Sequence, residues 1–132
     1  MDKFAERVAE FNEKILNYPR PERGLLNHEL LDHAATCLRE EVEEFEEATY
    51  HGDYIGSIDA LIDLMYFAIG ALHKMGLAPE QMAECGRIVH EANMTKRRGV
   101  VERRANGSPD ATKPKGWVPP EESIGNYLEG PL

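Results

Sequence analysis

Apolar residues recur at helical rather than strand spacing as far as residue 96. Phe4, Val8, Phe11 and Ile15 mark a first amphipathic helix. Asn17-Tyr18-Pro19-Arg20-Pro21 ends it, because two prolines cannot continue a helix. Glu22 to Asn27 reads as a loop, with Asn27 placed to cap the next element. Leu30, Leu31, Ala34, Leu38, Val42, Phe45 and Ala48 then form the stripe of a long second helix, from about His28 to Tyr50, stopped by Gly52. Asp53 opens a third helix, roughly Tyr54 to Lys74, which Gly76 closes. Pro79 suits the first position of a fourth, expected to run to about Lys96 with Met82, Cys85, Val89 and Ala92 facing inward.

After Gly99 the pattern breaks. Arg97, Arg98, Arg103, Arg104, Lys113 and Lys115 crowd a segment rich in Gly and Pro. Asn106 to Leu132 reads as irregular and surface-bound, with a short strand near Val100-Val101. No βαβ alternation, Walker motif or GxGxxG signature is present, which argues against a parallel-sheet nucleotide fold. The expected architecture is all-α, a four-helix bundle over residues 1–100. A basic tail over 101–132 packs on that domain or on a neighbouring subunit.

Composition narrows the chemistry. A chain of 132 residues fits one domain with a modest core, and its formal net charge is −9. That balance excludes a general binder of nucleic-acid polymers or anionic membranes. It leaves open a small phosphorylated ligand, because metal ions invert the local sign. Cys37 and Cys85 lie far apart and form no disulfide framework, so a reducing, cytoplasmic compartment is expected. The first residues are amphipathic rather than a signal peptide. The apolar segment Ile58–Phe67 contains Asp59 and Asp63 and is too short to span a bilayer.

Those two aspartates carry the functional argument. An acid inside an apolar helix is costly unless positive charge sits on it. On the second helix, Glu40, Glu41 and Glu44 project to one side, whereas Glu43, Glu46 and Glu47 lie further round. The glutamate run alone reads most simply as a solvated face. On the third helix, Asp59, Asp63, Tyr66 and His73 form one polar stripe. If the two helices pack as a hairpin about Gly52, five carboxylates meet. Mg²⁺ or Mn²⁺ relieves their repulsion, and about two or three such ions can hold a polyphosphate.

The pattern Glu40-Glu41-x-x-Glu44, followed by acid-x3-Asp on the next helix, resembles the MazG-like all-α nucleoside triphosphate pyrophosphohydrolases. The dimeric dUTPases and phosphoribosyl-ATP pyrophosphohydrolases are relatives. His90-x-x-Asn93-x-x-Lys96 is similar to a segment of that family, and Asp110 to Pro120 to a tail of its small, often phage-encoded members. The resemblance implies cleavage between the α and β phosphates, giving a nucleoside monophosphate and pyrophosphate. It implies Glu40, Glu41, Glu44 and Asp63 as metal ligands, with Glu40 or Glu41 activating the water. Many members carry Glu where this chain has Ala60, and Asp59 is expected to take that role. Asn93, Lys96, Arg97 and Lys113 are expected to meet the substrate. Members of the MazZ type act on (d)GTP, which leans the base in that direction; other dNTPs, dUTP included, are the alternative. Relatives are dimers or tetramers, so a homo-oligomer is expected. A non-catalytic metal- or nucleotide-binding helical regulator is the competing reading, and Ala60 is the feature that supports it. A histidine-synthesis enzyme acting on phosphoribosyl-ATP fits the long tail poorly.

Other residues divide less sharply. His33 and Cys37 are spaced for a metal but lack a further ligand pair, so core packing is expected. Arg97 and Arg98 suit either a triphosphate or the negative end of a helix. His90 reads equally as near the site or on the surface. Trp117 suits docking against a neighbouring subunit better than stacking on a base. Phe11, Tyr18 and Pro19 lie near a base pocket if small relatives are a guide.

Overall fold

The structure is a computed structural model that describes residues 2–101 and 107–130. Arg103 and Arg104 lie outside the described residues. The order is α1 (Asp2–Lys14), α2 (His28–Tyr50), α3 (Tyr54–Lys74), α4 (Pro79–Asn93), β1 (Arg97–Val100), β2 (Pro109–Thr112) and α5 (Glu121–Glu129). The fold is all-α, as the apolar period predicts. It forms two compact units, Met1–Met82 and Ala83–Leu132.

In the first unit, α2 and α3 make the main pairing and α1 lies on α3. Asn27 caps α2 by accepting from the Leu30 amide at 2.9 Å, and Asp53 caps α3 by accepting from Gly56 at 2.9 Å. Gly52, at φ 71°, supplies the left-handed residue that lets the chain reverse between them. The hydroxyls of Thr49 and Ser57 meet at 3.0 Å across that turn. Ala5, Val8 and Ala60 are buried. Phe4 and Phe11 both pack edge-on to Tyr66. Ile15 lies beyond the end of α1 and is exposed, so the expected stripe stops one turn short.

The loop between α1 and α2 is tied to the end of α3. His73, 1% exposed, joins the Tyr18 carbonyl through Nε2 at 3.0 Å, and the Gly24 amide donates to the Met75 carbonyl at 3.0 Å. The Lys74 ammonium sits over the Tyr18 ring. Gly76 has φ 89°, and a Cβ there would stand 2.6 Å from the Arg23 Cα.

In the second unit, β1 and β2 pair antiparallel, with Arg97 opposite Thr112 and Val100 opposite Pro109. The strand expected near Val100 is therefore present, three residues earlier in its start. Helix α4 ends at Asn93 instead of Lys96, because Lys96 leads directly into β1. Met82 is buried and Cys85 and Ala92 half-buried, as expected of the inner face of α4; Ile88 is buried beside them, and Val89 is exposed. The tail is not irregular throughout. It holds β2, a β-turn closed by the Trp117 amide on the Pro114 carbonyl at 3.0 Å, and α5.

Candidate active site

Helical geometry places Glu41 and Glu44 three residues apart on α2 and faces them toward α3. One oxygen each from Glu41, Glu44 and Asp63 lies within 4.8 Å of the others. Glu41 is only 8% exposed, and its Oε2 is buried with no hydrogen-bond partner among the described residues. Burial first, then a hydrogen bond shared with Glu44 and the charges of Glu44, Asp63 and Asp59, push the Glu41 carboxyl up to about 7. Asp63 is pushed up by burial, then by Asp59 and Glu44. A buried oxygen lacking a donor, facing two further carboxylates, is the arrangement a hard cation would complete. The three acids fit a divalent ion, and the cluster is compatible with metal binding.

The other expected ligands sit around this trio. Glu40 and Asp59 are exposed and fall outside the 4.8 Å group, although the charge of Asp59 reaches both Glu41 and Asp63. Ala60 is 3% exposed, so the position that carries Glu in many MazG-like proteins is here packed and apolar. The polar stripe of α3 splits by role: Asp63 joins the trio, Tyr66 enters an aromatic cluster, and His73 holds the α1–α2 loop. Phe11, Leu16, His33, Tyr66 and Lys74 line a small recess between the helices of the first unit. Tyr18 is half-buried and Pro19 exposed. His33 is exposed and bonded to the Cys37 thiol at 3.6 Å, so this pair is not core packing. Burial and Glu40 push the Cys37 thiol up, against Lys74.

The expected substrate contacts belong to the second unit. Asn93, Lys96, Arg97 and Arg98 line one recess together with Asp110 of β2. Lys113 instead lies over the Trp117 ring, as does Lys96. Trp117 docks on its own chain, donating from Nε1 to the Thr95 hydroxyl and the Ala92 carbonyl. His90 is exposed. Sequence reasoning passed over Asn12, a buried polar residue whose Nδ2 donates to the Val8 carbonyl at 2.9 Å. Its one signal is an amide four residues after Val8, on the helix's apolar side.

An all-α fold with acids gathered on a helical hairpin defines the MazG-like class of pyrophosphohydrolases. The family model for phosphoribosyl-ATP pyrophosphohydrolase matches residues 3–93, and the chain belongs to this family. The resemblance drawn from the sequence therefore holds at the level of class: a hydrolase of the pyrophosphohydrolase type, acting on a nucleotide phosphoanhydride. No curated protein matches the chain.

Proposed function

We propose that the chain is a metal-dependent nucleoside triphosphate diphosphohydrolase, converting a (d)NTP and water to a (d)NMP and pyrophosphate, with (d)GTP the favoured substrate. The observation that carries this is the buried, unpartnered Glu41 oxygen within 4.8 Å of Glu44 and Asp63 oxygens. These three residues hold the ion, with Asp59 and Glu40 at its margin. Mg²⁺ or Mn²⁺ held there, at about two or three ions per site, would neutralise the polyphosphate and polarise its phosphorus.

The chain's own groups supply the rest. Glu40, one turn before Glu44, orients the attacking water and accepts its proton, with Glu41 the other candidate for that role. Water oxygen bonds to a phosphorus of the α–β bridge. The bridging P–O bond breaks, and its electron pair leaves with the departing phosphate. Asn93 contacts the sugar, and Lys96, Arg97 and Lys113 balance the phosphates. Ser, Cys and His take no nucleophilic part, so no covalent intermediate forms. The enzyme works as a homo-oligomer in a cytoplasmic compartment, with no membrane or nucleic-acid polymer as partner.

The family match favours a second reading, in which the triphosphate is that of phosphoribosyl-ATP. A hydrolysis screen over NTPs, dNTPs and phosphoribosyl-ATP with Mg²⁺ and Mn²⁺ separates the two. The expected products are monophosphate and pyrophosphate, lost in chelator and in Asp63→Ala. Orthophosphate as the first product would overturn the mechanism, and metal binding without turnover of any triphosphate would favour a non-catalytic regulator.

A further inference from the structure

We propose that Trp117 is a positioning residue for polyphosphate, whose indole gathers the Lys96 and Lys113 ammoniums into one anion-binding claw. The proposal rests on the reading of these two lysines as phosphate contacts.

The hairpin brings the lysines together. Lys96 immediately precedes β1 and Lys113 immediately follows β2, and Arg97 pairs with Thr112. The next position outward along that register sets Lys96 beside Lys113. Like charges side by side repel, so an unassisted pair would splay. The turn that follows prevents this. In Pro114-Lys115-Gly116-Trp117, the Trp117 amide donates to the Pro114 carbonyl at 3.0 Å, and Gly116 has φ 76°, which its third position in the turn requires. The turn carries the indole back to the end of α4. There Nε1 donates to the Thr95 hydroxyl at 2.8 Å and the Ala92 carbonyl at 3.1 Å, a carbonyl in the last turn of the helix.

Held at that point, the ring meets Lys96 Nζ at 4.9 Å and Lys113 Nζ at 5.3 Å from its centroid. The negative face of an indole attracts ammonium groups at this range. Among the described residues, no carboxylate lies within 4.0 Å of either lysine nitrogen. The ring therefore orders both cations while adding no negative formal charge. Two ammoniums on one ring, with no carboxylate of the described residues in ion-pair range, suit an anion with several adjacent charges, such as the di- or triphosphate portion of a nucleotide.

The ring and the N–H make separable contributions. Trp117→Phe keeps a ring and loses the N–H; Trp117→Leu loses both. Titration calorimetry of the full chain with inorganic tripolyphosphate, in chelator, measures the claw without the acidic cluster's metal. Trp117→Phe is expected to bind within about threefold of the unmodified chain, and Trp117→Leu about tenfold more weakly. Binding by Trp117→Leu within twofold of the unmodified chain would overturn the proposal, as would Trp117→Phe being as weak as Trp117→Leu. So would failure of the unmodified chain to bind. A second measurement needs no variant. Trp117 is the single tryptophan, so saturation with tripolyphosphate must change its emission, and an unchanged spectrum also overturns the proposal. Hydrolysis assays run alongside keep the two ideas apart. Turnover with the KM of Trp117→Leu unchanged removes the claw and leaves the function. A Trp117-dependent claw on a chain that hydrolyses no triphosphate leaves the claw and removes the function.

Discussion

Glu41 is in electrostatic tension with its surroundings. Its carboxyl is pushed up to about 7 from the ordinary carboxylate range, so without metal the folded state favours the protonated form below about that pH. A raised acid contributes stability that is complete below the unfolded value and is lost as pH rises through the folded one. In chelator the chain should therefore be more stable at pH 5.5 than at pH 8, with about 2 kcal/mol at stake from this group across that window. Asp63, shifted in the same direction, adds to the trend. Thermal melts across that window check the sign. Glu41→Gln should flatten the profile and raise the metal-free Tm at pH 8, while removing the stabilisation that added Mn²⁺ gives the unmodified chain.

The same geometry ranks the two aspartates of α3. Asp63 contributes an oxygen to the trio and is half-buried; Asp59 is exposed and outside it. Asp63→Asn is expected to reduce kcat by a factor on the order of 10² or more, whereas Asp59→Asn should cost about tenfold or less. Steady-state kinetics at saturating Mn²⁺ measure both, and an equal loss would place Asp59 among the inner ligands.

At the scale of elements, the ends were legible and the faces less so. Asn27, Asp53, Gly52, Gly76 and Pro79 mark α2, α3 and the start of α4 in the sequence, because caps and left-handed residues act locally. Which side of α2 turns inward depends on its partner. Glu41 is buried while its neighbour Val42 is 43% exposed, the reverse of what a hydrophobic stripe predicts. The aspartates of α3 hinted at this inversion, since their expected partners lay on α2. The role of Trp117 was not legible, because it depends on a turn that returns the tail to α4. One glycine tests the element junctions. Gly76 combines φ 89° with a backbone only 2.6 Å from where a Cβ would stand. Gly76→Ala should lower unfolding free energy by at least about 2 kcal/mol in urea titrations, by straining the α3 terminus and displacing the loop at Arg23.

The whole molecule poses a question that α3 answers in part. By length and composition this helix is apolar enough to cross a bilayer, yet only 11% of its most apolar window is buried. Single exposed apolar residues are ordinary; a stripe of them is not. Ile55, Ile58, Ile62 and Met65 follow one another at helical spacing and are all exposed. They run alongside Asp59 and Asp63, so whatever covers them also borders the acidic cluster. A lipid tail is a poor cover, because it would sit against charged carboxylates. A second copy presenting the same stripe would cover the apolar residues by two-fold self-complementarity and limit water at the edge of the acidic cluster. The chain is therefore expected to sediment at about two or four times 14.9 kDa, with a Tm that rises with protein concentration. Ile62→Asp, at the middle of the stripe, should shift it toward monomer and lower the Tm. It should also weaken turnover more than a surface substitution such as Glu46→Gln, since Ile62 adjoins Asp63. A monomer at micromolar concentration with full activity would exclude this arrangement.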